Sequence, residues 1–145
     1  MIKNLRNVLP AASFALLATI VAAQAEPFWP TAAKVYFIAP VDGAVIEGPV
    51  AVVMGLSGLG IAPAGTDKAM TGHHHILVDA DVPTGADLEA PMPADDHIRH
   101  FGGGQTETKL MLAPGKHTLQ LIIGDQNHIP HNPPLVSAKV TVMVK

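Results

Sequence analysis

The chain has 145 residues, 9 of them Lys or Arg and 12 Asp or Glu, and carries a formal net charge of −3. This acidic balance disfavours nucleic acid and anionic lipid as partners, since both require a basic surface. The sequence contains 8 His and no Cys, which excludes disulfides and thiolate metal centres such as blue copper and zinc ribbons. Nitrogen and oxygen ligands remain, with Met54, Met70 and Met92 as weak thioether candidates.

Residues 1–25 have the pattern of a cleaved secretory signal peptide. Lys3 and Arg6 form a basic start, an apolar stretch follows over residues 11–23, and Ala23-Gln24-Ala25 is an A-x-A cleavage site. No later apolar run approaches the roughly 20 residues that a transmembrane helix needs. We therefore expect a single mature domain over residues 26–145, periplasmic or secreted, without a membrane span.

The rest of the chain has the pattern of an all-β domain. Its 13 Pro and 13 Gly separate short runs rich in Val, Ile and Leu, and apolar residues alternate within these runs, as in half-buried antiparallel strands. Strands are predicted at residues 34–38, 45–46, 50–55, 74–79, 107–112, 117–123 and 137–145. About seven short strands with frequent turns predict an Ig-like antiparallel β-sandwich.

Two connections are predicted to be irregular. Residues 58–65 are rich in Gly, Pro and Ala, and residues 80–105 form a long polar stretch with many acidic side chains. A connection as long as residues 80–105 is uncommon in a compact domain unless it has a function.

All histidines except His117 fall into three short groups, and imidazole is the commonest protein ligand for transition metals. Predicted strands separate the groups, so only the fold can bring them together. The candidate ligands are His73, His75, His100, His128 and His131, with His74 and His97 as reserves.

The first group lies at the start of a predicted strand. His73 and His75 point to the same face as Leu77, whereas His74 points to the opposite face. Two interpretations remain open for this group. His73 and His75 chelate an ion as an i, i+2 pair, or the imidazoles are hydrogen-bonded structural groups at a sheet end.

The second and third groups lie in loops. His97 and His100 precede Gly102-Gly103-Gly104, where the backbone can bend back onto the sheet; a solvated acidic loop is the alternative, favoured for His97. His128 and His131 lie in a loop that its prolines stiffen, which lowers the entropic cost of fixing both side chains. Asp125 is placed to orient an imidazole there, and a rigid surface turn is the alternative.

His117 follows Pro114-Gly115 and enters a predicted strand on the same face as Leu119. Sandwich domains often place a tyrosine at such a corner, where its hydroxyl bonds to the backbone. We therefore interpret His117 as a structural corner residue and not as a ligand.

Four motifs, taken in order, resemble domain-of-unknown-function family 4399. They are residues 72–75 (GHHH), 100–107 (HFGGGQTE), 114–121 (PGKHTLQL) and 125–131 (DQNHIPH). The resemblance covers most of the mature chain and implies an exported bacterial domain without an established activity. Residues 38–45 are similar to the opening of periplasmic copper-resistance sandwiches, although Glu26 does not supply their usual N-terminal ligand. The His73-x-His75 pair is also similar to one in copper–zinc superoxide dismutase, another histidine-rich sandwich. This is only a chemical analogy, because the present sequence lacks the other ligands of that enzyme in their order.

The sequence thus predicts a periplasmic domain that binds, buffers or delivers copper or zinc through a histidine cluster. A periplasmic interaction module for a protein or glycan, with a structural histidine network, is the rival. A metal-dependent enzyme is the least favoured alternative, because the sequence names no substrate.

Overall fold

The computed structural model describes residues 26–145. The predicted signal peptide lies outside these residues, and its removal and the export of the chain stay predictions. No helix within residues 26–145 is long and apolar enough to cross a membrane.

The described chain contains nine strands and one short 3-10 helix, Gly85–Glu89. The strands are β1 (Lys34–Ala39), β2 (Ala44–Ile46), β3 (Val50–Ser57), β4 (Gly60–Ile61), β5 (Thr71–Val78), β6 (Ile98–His100), β7 (Glu107–Leu110), β8 (Gly115–Gly124) and β9 (Val140–Val144).

The strands form two sheets. One sheet has the order β1-β3-β7, with antiparallel neighbours. The other has the order β2-β9-β8-β5-β4, and β6 adds to β5. Most of its pairs are antiparallel, but β2 runs parallel to β9 and β4 parallel to β5.

The main core lies between the sheets and contains the alternating apolar residues of both. Val50, Val52 and Met54 of β3 meet Leu119, Leu121 and Ile123 of β8 and the inward residues of β5 and β9. Trp29 and Phe101 close this core from outside the strands. Because a chain without cysteine has no disulfides, its stability rests on this apolar burial.

The predicted all-β sandwich is confirmed, and each of the seven predicted strands is present with small shifts at its ends. Two strands were not predicted. β4 lies in the stretch 58–65, and β6 lies in the long connection 80–105, which also holds the 3-10 helix. Both are short, and both depend on pairing with β5, which the local sequence does not reveal.

The larger sheet is buried on both faces near β5. Ile76 and Val78 point into the main core, whereas Leu77 packs outside it with Ile122 and Met92. Segments that follow β5 and β8 cover this outer face. The candidate site lies on the same face, because side chains two residues apart on a strand share a side.

Candidate metal centre

β5 supplies the two innermost histidines of the site. His73 and His75 are 0% and 1% exposed, and they lie on the outer face of the larger sheet together with Leu77. Strand alternation sends His74 to the inner face, next to Ile76. The i, i+2 spacing therefore produces a histidine pair, with ring centroids 4.8 Å apart.

β6 brings in the third histidine. In the antiparallel register of β5 and β6, His100 is the direct partner of His75. The Phe101 N–H donates to the His74 carbonyl at 3.1 Å, which continues the pairing beyond the strand. Gly102 follows closely, and a β-carbon at this position would collide with the His100 ring. The glycine is needed here because the backbone passes directly beside the imidazole.

The fourth histidine comes from the loop after β8. Gly124, the register partner of His73, ends β8 beside the site, and His128 lies four residues further on. The Asp125 carboxylate accepts hydrogen bonds from the Asn127 and Ile129 N–H groups, which closes the turn around His128. His128 itself has a φ of 68°, a left-handed conformation that is uncommon for a residue with a side chain.

These four histidines form one compact group, in which one ligand nitrogen of each residue lies within 4.8 Å of the others. His73 Nε2 lies 3.1 Å from His128 Nδ1 and 3.2 Å from His100 Nε2. His73 and His75 are buried, while His100 and His128 are less shielded from solvent. The site therefore has a buried base on β5 and a more accessible side.

Burial keeps the inner imidazoles neutral. Loss of solvent is the main cause that lowers the pKa of His73 to about 4 and that of His75 to about 3. The neighbouring histidines lower both pKa values further, because a second positive charge would be repelled. Burial and His128 also lower the pKa of His100. A neutral imidazole is the form that binds a metal ion.

The geometry fits a four-coordinate ion. Nitrogens that share a tetrahedral ion at about 2.0–2.1 Å lie about 3.4 Å from one another. The two contacts of His73 Nε2, at 3.1 and 3.2 Å, are close to that separation. Small ring rotations would bring the remaining nitrogens, all within 4.8 Å, to the same centre.

The hydrogen-bond balance of the buried rings also fits an ion. His73 Nδ1 and both ring nitrogens of His75 are buried without a hydrogen-bond partner. Each such atom costs about 1–3 kcal/mol when it is left unpaired. An ion bound to His75 would satisfy one of these nitrogens, which no protein group does.

The other predicted ligands lie outside this group. His74 is fully buried on the inner face, and neither of its ring nitrogens has a partner. His97 Nδ1 lies 3.0 Å from the Val78 carbonyl. His131 Nε2 lies 2.9 Å from Asp125 Oδ2, and its ring stacks on Phe28 with centroids 3.5 Å apart. Four of the seven predicted ligands therefore lie together in the structure, and three do not.

His117 makes the backbone contact predicted for a corner residue. Its Nε2 lies 2.8 Å from the Ala113 carbonyl oxygen, and its Nδ1 lies 2.7 Å from Asp79 Oδ2. The bond to Asp79 is the main cause that raises the pKa of His117. This histidine connects β8 to the end of β5 and lies outside the four-histidine group.

The sequence did not predict the contacts that hold the third histidine group in place. The indole N–H of Trp29 donates to the Pro130 carbonyl at 2.6 Å, and Phe28 stacks on His131. On the other side, the Met92 N–H donates to the His128 carbonyl at 3.0 Å. The single Trp of the chain, in this N-terminal segment, is a signal from which an anchoring role could have been inferred.

The match to a family model covers residues 52–145, which include all four histidines of the group. The chain belongs to the family described as Domain of unknown function (DUF4399). The resemblance seen in the four sequence motifs is therefore confirmed. Residues 28 and 29 lie outside the matched range.

Among solved structures, the chain is similar to the fibronectin(III)-like modules of Clostridium thermocellum CbhA. The two are 15% identical, the alignment covers 77% of this chain and 93% of that chain, and the TM-score is 0.38. Comparison with curated proteins gives no match.

Proposed function

We propose that this protein binds one copper or zinc ion through His73, His75, His100 and His128, and that it buffers or delivers this ion. The observation that carries the proposal is the convergence of four imidazoles, from two strands and a loop, with ligand nitrogens within 4.8 Å of one another. Three sequence-distant segments meet at this point, and no acidic side chain belongs to the group.

The chemistry of the donors favours these two ions. Imidazole nitrogen binds zinc and copper well, whereas magnesium and calcium require oxygen ligands. The lowered pKa values of His73, His75 and His100 keep three of the four ligands neutral at pH 7. The protein therefore gives up little binding energy to proton competition.

Binding is favoured over catalysis because four imidazoles fill the coordination shell of a tetrahedral ion. Catalytic zinc sites keep one position open for water or substrate, whereas structural sites are closed. The more accessible position of His100 and His128 supports exchange of the ion with a partner. The signal-peptide pattern at residues 1–25 supports an action in the periplasm or outside the cell.

A titration of the purified mature domain tests the proposal. We expect tight uptake of one equivalent of zinc or copper at pH 7.5, measured by calorimetry and by metal analysis after gel filtration. The variant His100→Ala/His128→Ala, which removes the two more accessible ligands, should lose tight uptake. His97→Ala removes a histidine outside the group and serves as the control. Absence of stoichiometric uptake by the wild-type domain would refute the proposal.

The rival function is an interaction module in which the histidines form a structural network. The contacts of His73 Nε2 with His128 and His100 favour it, since both are at hydrogen-bond distance. However, one ring nitrogen carries either one proton or one lone pair, so His73 Nε2 serves both neighbours only imperfectly. In the rival, substitution of each of the four histidines lowers stability to a similar extent, and added metal has no effect on any of them.

A further inference from the structure

A buried methionine packs on the sheet face that carries the proposed metal site. Met92 belongs to the loop between the 3-10 helix and β6, and both neighbours in sequence are exposed. Its own side chain is only 7% exposed and packs on the outer face of the larger sheet with Leu77 and Ile122. The loop therefore turns this one thioether inward, onto the face that carries His73 and His75.

The packing around Gly124 shows how close this side chain comes to the ligands. A β-carbon placed on Gly124 would lie 2.8 Å from His75 Cε1, 3.2 Å from Met92 Cε and 3.2 Å from the His128 α-carbon. The methyl end of Met92, the His75 ring and the His128 backbone thus surround the same small volume. The sulfur is bonded directly to that methyl group.

The backbone of Met92 is also fixed to the site. Its N–H donates to the His128 carbonyl at 3.0 Å, which ties the methionine backbone to the residue that supplies the loop-borne ligand. A methionine side chain has three rotatable bonds, which allows its sulfur to be redirected without a backbone change. A flexible thioether on a backbone that is hydrogen-bonded to the site can bind one ion and turn away from another.

We infer that Met92 is an alternative, soft ligand that replaces one imidazole when the centre holds copper(I). This inference rests on the proposed metal site. Thioether sulfur selects copper(I) over zinc, whereas four imidazoles alone discriminate weakly between the two. In this arrangement a copper(II) ion would be held by the four imidazoles, and a copper(I) ion by three imidazoles and the Met92 sulfur.

The other two thioether candidates do not have this position. Met54 is buried in the main core between the sheets, on the far side of β5. Met70 is 56% exposed and lines a different groove with Phe28 and Leu59. Of the three thioether candidates, Met92 is therefore the one that the fold places beside the four-histidine site. Met54 offers a matched control.

Anaerobic competition titrations of copper(I) and zinc test the inference with Met92→Leu, a change of nearly constant volume. We expect copper(I) affinity to fall by at least about tenfold, with zinc affinity nearly unchanged. Met54→Leu, the same exchange in the main core, should alter neither affinity. X-ray absorption of the copper(I) form should show a sulfur neighbour in the wild type and none in Met92→Leu.

Equal copper(I) affinities for the wild type and Met92→Leu, with a copper(I) spectrum that contains only nitrogen neighbours, would overturn the inference alone. The imidazole site would then stand, provided that zinc and copper(II) still bind. Failure of the wild type to bind any of the three ions would overturn the proposed function and the inference together.

Discussion

His75 and His100 face each other on adjacent strands, and their imidazole rings stack with centroids 5.0 Å apart. Their positions follow from strand register, as does that of His73, two residues from His75 on the same strand. The fourth member, His128, depends instead on the internal bonds of a loop. The centre thus has a rigid part on the sheet and a part whose position other residues must maintain.

The two histidines of the third group should differ as ligands. His128→Asn removes a ring nitrogen that lies 3.1 Å from His73 Nε2. His131→Asn instead removes a ring that is hydrogen-bonded to the Asp125 carboxylate. Both residues have a positive φ, which asparagine tolerates, so the loop backbone is preserved in both variants. We expect His128→Asn to lower metal affinity by at least about tenfold, and His131→Asn to lower it much less.

Calorimetric titration of both variants with zinc measures this difference, and circular dichroism verifies that both are folded. An equal or greater loss in His131→Asn would place His131 among the ligands and contradict the four-histidine assignment.

The stability of the metal-free protein should depend on pH between about 6.5 and 4. Burial lowers the pKa of His73 and His74 to about 4 and that of His75 to about 3. In this range the unfolded chain takes up protons at these positions and the folded chain does not. The free energy of unfolding therefore decreases as the pH falls, by up to about 1.4 kcal/mol per pH unit for each histidine.

His117 has the opposite effect on the pH dependence of the free energy of unfolding. Its pKa is raised, so its bond to Asp79 adds stability below pH 6.5 and loses this contribution as the pH rises through the folded-state pKa. The lowered pKa values of His73, His74, His75 and His100 together outweigh the raised pKa of His117. Urea unfolding in the presence of a chelator, from pH 7 to pH 4.5, should show the net loss, and a flat profile would contradict the burial-induced shifts.

Much of this architecture could be predicted because the sequence encodes it locally. The alternation of Val140, Val142 and Val144 defines a strand with one buried face, and the same is true of Leu119, Leu121 and Ile123. The i, i+2 spacing of His73 and His75 likewise places both rings on one face. These features depend only on the two-residue period of a strand.

The remaining features depend on partners distant in sequence. β6 has only three residues, and its strand conformation comes from pairing with β5, so the local sequence predicts a loop there. His131 shares a loop with His128, but contacts with Asp125 and Phe28 direct it away from the centre. No local pattern distinguishes these two histidines, because Phe28, which stacks on His131, comes from the N-terminal segment and is distant in sequence.

Replacement of His74 by leucine should stabilise the protein without any effect on metal binding. Its ring is fully buried on the inner face of β5, and both nitrogens lack a hydrogen-bond partner. Leucine has a similar size and no polar atom, so it removes an unpaired buried group that costs about 1–3 kcal/mol. Urea unfolding at pH 7 should show a gain of this order. A loss of zinc affinity in His74→Leu would instead make His74 part of the centre.

The N-terminal segment should control metal affinity through the loop that holds His128. Trp29→Phe keeps an aromatic ring in the core but removes the N–H that donates to the Pro130 carbonyl, two residues after His128. We expect the variant to lose about 1–3 kcal/mol of stability and some zinc affinity, because the loop gains freedom that binding must then remove. Tyr36→Phe, which removes the hydroxyl of an exposed side chain on β1, serves as the control and should change neither quantity.

A double-mutant cycle separates this effect from a general loss of stability. If Trp29 acts by positioning His128, then Trp29→Phe should have almost no further effect on zinc affinity in the His128→Asn background. Its cost in stability should persist there, because the hydrogen bond to Pro130 is lost in either background. Additive losses of zinc affinity would show that Trp29 supports the whole sheet site and not the loop, and would contradict the positioning role.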